Sequence, residues 1–68
     1  MEKIIMKNVE MANTVASNLN VFLNAKTEGT DVIINNSDRA VNFNVMCKTD
    51  KDRVDLSKKM LSRFLATK

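Results

Sequence analysis

Few residues in this chain have the type and spacing that chemistry needs. Cys47 is the single thiol, Asp50, Asp52 and Asp55 are three closely spaced carboxylates, and Lys58, Lys59, Arg63 and Lys68 form a basic group; there is no histidine and only one glycine, Gly29. Without histidine the usual general base, proton shuttle and nitrogen ligand for a metal are all missing. A lone cysteine with no histidine completes neither a Cys/His catalytic pair nor a zinc cluster. A single glycine cannot build a phosphate-cradling loop. The three aspartates fall where a helix is expected to begin, and there carboxylates serve capping and the helix dipole. Cys47 continues the apolar alternation of Val41, Phe43 and Val45 and reads as a small buried hydrophobe, while Lys48, its neighbour, would point to the opposite face of a strand and leave the thiol unactivated. These residues predict no enzyme, no metal site and no cofactor.

The elements that would hold these residues follow from hydrophobic spacing. Residues 3–7 (Lys-Ile-Ile-Met-Lys) are short, β-branched and flanked by charge, a first strand. From residue 11 to residue 25, Met11, Val15, Leu19, Phe22 and Leu23 recur at intervals of three and four, a helical stripe. Gly29 follows Lys26-Thr27-Glu28, where a positive φ would stop the helix and turn the chain. Residues 30–35 place Val32 and Ile34 on one face and Asp31, Ile33 and Asn35 on the other, a second strand. Asn36-Ser37-Asp38-Arg39 supplies turn chemistry, and residues 41–47 then alternate again, so the spacing predicts a hairpin with a third strand there. Thr49-Asp50-Lys51-Asp52 has the form of a capping box ahead of Val54, Leu61, Phe64 and Leu65, a second helix that runs to the terminus. The expected fold is one α+β domain over residues 1–68 in the order βαββα: a three-stranded sheet, order 1-3-2, with both helices on one face.

Composition places the chain among small globular domains. Its 68 residues, 44% hydrophobic and 28% charged, suffice for a core, but a domain of this size buries only about 60% of its unfolded surface, so its stability margin is thin. The net charge of +3 is unevenly spread. Residues 1–34 carry three lysines against four acids (−1), and residues 35–68 carry eight basic residues against four aspartates (+4). An unpaired cysteine, no apolar run long enough to span a membrane and no signal-peptide pattern together predict a soluble cytoplasmic protein.

Two surfaces stand out as candidates for binding. The sheet face away from the helices is expected to show Ile5, Ile33 and Met46 among Asp31, Asn42 and Asn44, more apolar than a solvated face requires. The first helix is free of charge from residue 11 to residue 25 and carries an outward row of Asn13, Ser17, Asn20 and Asn24, polar but cheaper to desolvate than lysine or glutamate. Against these stands the basic group Lys58, Lys59, Arg63 and Lys68 on the last helix, which would suit nucleic acid if an aromatic platform or a further basic strip joined it.

The order βαββα, with Ala25, Asp31 and Val32 leading into the second strand and Val41-Asn42-Phe43 after it, resembles a shortened HPr-type phosphocarrier domain. The resemblance implies an open-faced sheet covered by helices on one side. That family's phosphorylated histidine would fall near Asn13 or Thr14, and neither it nor the arginine and proline beside it is present; Asn44 and Val45 stand where a regulatory serine would follow. It therefore implies a truncated relative without phosphotransfer, one that docks on a carrier's partners.

Taken from the residues, the leading expectation is a non-enzymatic interaction module, an inhibitor, adaptor or accessory subunit. It would bind another protein or form a homodimer through the open sheet face, with the helix row beside it. The alternative is a small basic nucleic-acid-binding domain that uses the last helix.

Overall fold

Three short polar side chains set where the helices begin. In the computed structural model, which describes residues 3–66, Asn8 precedes α1 (Val9–Leu19) and its Oδ1 accepts from the Met11 N–H at 3.0 Å. Asn36 does the same for α2 (Ser37–Met46), accepting from the Arg39 N–H at 3.1 Å. Thr49 starts α3 (Asp50–Ala66), its Oγ1 accepting from the Asp52 N–H at 3.1 Å, which is the threonine half of the expected capping box. Each cap satisfies a backbone donor that the helix itself leaves free, typically about 1 kcal/mol of stabilisation.

The sheet contains β1 (Lys3–Ile4), β2 (Ala25–Glu28) and β3 (Asp31–Ile34) in the order β1-β3-β2. β3 is antiparallel to both neighbours, with Lys3 opposite Ile33 on one side and Lys26 opposite Ile33 on the other. The class and strand order are those expected, α+β and 1-3-2, but the described residues form three helices, and different segments fill the strand positions.

The expected third strand, residues 41–47, is instead most of α2 and its C-cap, Cys47. Alternation over so few residues is ambiguous: Val41 with Val45, and Phe43 with Cys47, are each four apart and share a helix face as readily as all four share a strand face. Asn36 decides in favour of the helix by capping it. The strand that pairs with β3 is residues 25–28, assigned by spacing to the helix end and a loop. α1 ends earlier than its apolar stripe suggests, at Leu19. Asn20 caps it, and its Oδ1 accepts from the Ala25 N–H at 3.2 Å, tying the helix end to the start of β2.

Gly29 has the predicted positive φ (63°), but its role is a two-residue hairpin turn with Thr30 between β2 and β3, not a helix stop. A positive φ at the first central position alone is the pattern of a type II′ turn, whose twist matches that of the strands it joins.

Ile4, Val32 and Ile34 project from one face of the sheet into a core completed by Ala12, Val15, Ala16 and Leu19 of α1, by Ala40 and Phe43 of α2, and by Met6 and Cys47. α1 lies against β2 and β3, and α2 against β1. α3 packs chiefly along α1 and runs the same way. Asp50 meets Asn8 near the two helix starts, Asn18 Nδ2 donates to Ser57 Oγ at 3.1 Å midway, and Phe22 stacks on Phe64 at a centroid distance of 5.2 Å.

One polar knot fastens the start of α3. Asp50 accepts from the Lys7 N–H (3.0 Å) and the Asn8 N–H (2.7 Å) and pairs with the Arg53 guanidinium (3.0 Å), which also donates to the Cys47 carbonyl at 3.4 Å. Both side chains of the pair are largely buried. Asp50 therefore joins the β1–α1 connection to α3, a wider role than the helix-start function its position suggests.

Candidate interaction surface

The sheet has an open face, but its makeup differs from the expected one. Lys3, Ile5, Lys26, Glu28, Asp31 and Ile33 alternate away from the core, and the Lys3 ammonium pairs with the Glu28 carboxylate across the face. The ammonium holds the Glu28 carboxyl below the usual carboxylate range and, reciprocally, Lys3 is raised. Ile5 is 52% exposed and Ile33 partly so, yet Met46 is absent from this face: it ends α2, as Asn42 and Asn44 also belong to α2. What was expected as an apolar patch is two isoleucines among charges. The Asn44 amide closes the outer edge of β1, accepting from the Ile5 N–H at 3.0 Å and donating to the Lys3 carbonyl at 2.8 Å, as a neighbouring peptide group would.

The uncharged row is also broken up. Asn13 and Ser17 lie exposed on α1, whereas Asn20 is the helix cap and Asn24 follows the helix end. Asn20 and Asn24 instead join Ile33, Lys26 and Asn35 around a shallow depression of about 350 Å³ at the end of the β2–β3 hairpin.

The larger apolar exposure is on α2. Ala40, Phe43 and Cys47 form its buried strip, Asn44 turns to the β1 edge, and the outer side shows Val41 42%, Val45 74% and Met46 68% exposed. Met46 stands at the rim of a groove between α2 and α3, about 110 Å³, floored by Phe43 and walled by Arg39, Asn42, Leu56 and Met60. Along α3 the same surface continues past Asp52, Asp55 and Lys59 on one side and past Lys58, Lys59, Ser62 and Arg63 on the other, Leu56 lining both. Asp52, Leu56, Lys59 and Arg63 follow one another by four, three and four residues, a single helix stripe. Val41, Val45, Leu56 and Met60 do not figure among the sequence candidates. The four-residue interval from Val41 to Val45 was the available signal, masked because the same residues also alternate.

Lys58, Lys59 and Arg63 of the basic group thus edge this surface together, and Lys68 lies outside the described residues. The one aromatic ring of α3, Phe64, is stacked against Phe22 and offers no platform beside the basic side chains. Cys47 is buried, and burial pushes its thiol up, with the Arg53 charge opposing that shift. A thiol held protonated is a poor nucleophile.

Among the described residues, no three His, Cys, Asp or Glu side chains are grouped to hold a metal ion, and no helix is long and apolar enough to cross a membrane. The segment Val41-Asn42-Phe43, which supports the likeness to phosphocarrier domains, lies within α2. Compared with protein-family models, curated proteins and solved structures, the chain matches none of them.

Proposed function

We propose that this chain is a non-enzymatic protein-interaction module whose binding surface is the outer side of α2 together with the groove between α2 and α3. The observation that carries this reading is the exposure of Val41, Val45 and Met46 on one ten-residue helix. Burying three such side chains against a partner contributes at roughly 25 cal/mol per Å² of apolar area removed from water. Isolated exposed apolar residues are ordinary on protein surfaces; three on one short helix beside a methionine-lined groove are the arrangement that favours a contact. The flexible, polarizable side chains of Met46 and Met60 suit adaptation to a partner's shape. The open sheet face, with Ile5 and Ile33 among charges, is the weaker candidate.

Photo-crosslinking in living cells tests this. A photoreactive residue replacing Val45 or Met46 should yield a discrete protein adduct, and the same residue replacing Ile5 or Asn13 should yield none. Adducts at Ile5 without adducts at Val45 or Met46 would return the function to the sheet face. Adducts with nucleic acid at Lys59 would favour the basic-domain alternative.

A further inference from the structure

The α3 stripe has a charge order that selects a partner. Along α3 the acidic residues Asp52 and Asp55 come first and the basic residues Lys59 and Arg63 last, with half-buried Leu56 between the two groups and half-buried Met60 between Lys59 and Arg63; Met46 borders the acidic end and the groove. The charges are antisymmetric to within one residue about a point between Leu56 and Lys59: Asp52 and Arg63 are equidistant from it, and Asp55 and Lys59 differ by one position. A second α3 laid antiparallel across the first, related by a two-fold axis through that point, would set Asp52 against Arg63 of the other copy and Asp55 against Lys59. The same pairs then occur again by symmetry. Leu56 of each copy would lie beside Met60 of the other on either side of the axis, offering the parts not packed on the core, with Met46 of each α2 at the flank. An isologous contact needs a patch complementary to itself, which few charged surfaces are. The segment from Asp52 to Arg63 spans eleven helical steps, about 16 Å, enough for three turns of each helix to meet.

We infer that the occupant of this surface is a second copy of the chain, forming a two-fold dimer through antiparallel α3 helices with acidic and basic ends exchanged. This rests on the reading of α2 and α3 as the interaction surface and names its partner. The ion pairs set orientation and register, while the apolar centre supplies attraction. The charge order also disfavours the parallel arrangement, which would place Asp52 against Asp52 and Arg63 against Arg63.

Charge exchange tests the pairing directly. One variant carries Asp52→Lys and Asp55→Lys, so its stripe is basic throughout; the other carries Lys59→Glu and Arg63→Glu and is acidic throughout. By sedimentation equilibrium the wild-type chain should be a dimer. Each variant alone should dissociate with a constant raised about tenfold or more, since four attractive contacts become repulsive. An equimolar mixture should regain the dimer mass, because every contact is again between opposite charges. Circular dichroism checks that each variant is folded. Should Asp52→Lys disturb the start of α3, the single changes Asp55→Lys and Lys59→Glu make the same exchange. A wild-type monomer up to ~1 mM, or variants that dimerise as wild type does, or a mixture that stays monomeric would overturn the dimer. If crosslinks at Met46 then reach only a different protein, the interaction surface stands and its partner is not a second copy.

Discussion

Residues 31–34 and residues 41–47 look alike as sequence and fold oppositely. Both alternate apolar side chains in steps of two; the first becomes the central strand β3 and the second becomes α2. The difference comes from what flanks them. β3 is entered through Gly29, whose φ of 63° makes the tight turn from β2, and its alternation is real in space: Val32 and Ile34 face the core while Asp31 and Ile33 face away. α2 is entered through Asn36, whose side chain occupies the backbone donor at Arg39. Once helical, the same alternation divides into two stripes, Phe43 with Cys47 inside and Val41 with Val45 outside. A period-two pattern of four residues therefore identifies a strand only when the turn before it demands one.

The sharpest test of that contrast is the pair Phe43→Ala and Val45→Asp. Were residues 41–47 a strand covering the core, both side chains would lie on the buried face and both changes would be severe. As a helix, Phe43→Ala empties a fully buried site and should cost about 3–5 kcal/mol, whereas Val45→Asp, at a position 74% exposed, should cost at most about 1 kcal/mol, from a carboxylate in the last helical turn. Urea unfolding midpoints of the two variants decide between these outcomes. Equal losses would contradict the helix.

This contrast also explains which features the sequence discloses. The class and the start of α3 are legible because they depend on local signals, the β-branched runs and the Thr49 cap, and the 1-3-2 order agrees although different segments fill it. The second strand is not legible, because Lys26, Thr27 and Glu28 form an exposed edge with no apolar alternation to report it; only its pairing with β3 makes it a strand. Of the candidate interface, Ile5 and Ile33 are correctly placed on the open face, while Met46 moves with its segment to α2. Asparagine misleads in a similar way. Several read from spacing only as exposed polar groups, yet Asn8 and Asn36 cap helices, Asn18 links α1 to α3, Asn20 ties α1 to β2, and Asn44 closes the β1 edge. Such roles depend on the positions of distant residues, which local spacing does not contain.

The two entry points can be broken separately. Gly29→Ala introduces a Cβ that meets no atom within 4 Å, so its cost is the backbone conformation alone, about 1–2 kcal/mol. Asn36→Ala removes the cap of α2 and should cost about 1 kcal/mol. Hydrogen exchange separates their effects: Gly29→Ala should speed exchange in the β2–β3 hairpin, and Asn36→Ala in the first turn of α2. Loss of protection in α2 from the glycine change would mean that the turn and the helix do not fold as distinct units.

The smallest effect concerns Cys47, which α2 turns inward beside Phe43. Burial raises its thiol above the ordinary value, so the native state holds the proton more tightly than the unfolded chain, whose thiol titrates near ~8.5. A group raised on folding contributes stability that is fully present below the unfolded value and is lost as pH rises through the folded one. The stability difference between the wild-type chain and Cys47→Ala, about 1 kcal/mol at neutral pH, should therefore shrink as pH rises above ~8.5; a difference independent of pH would show a thiol already exposed. Alkylation extends the same test to the helix itself. The native Cys47 thiol should react far more slowly than one placed by Val45→Cys in the Cys47→Ala background, although the two positions are only two residues apart. In a strand both thiols would face the same way and react alike; in α2 one points into the core and the other into solvent, so their rates should diverge.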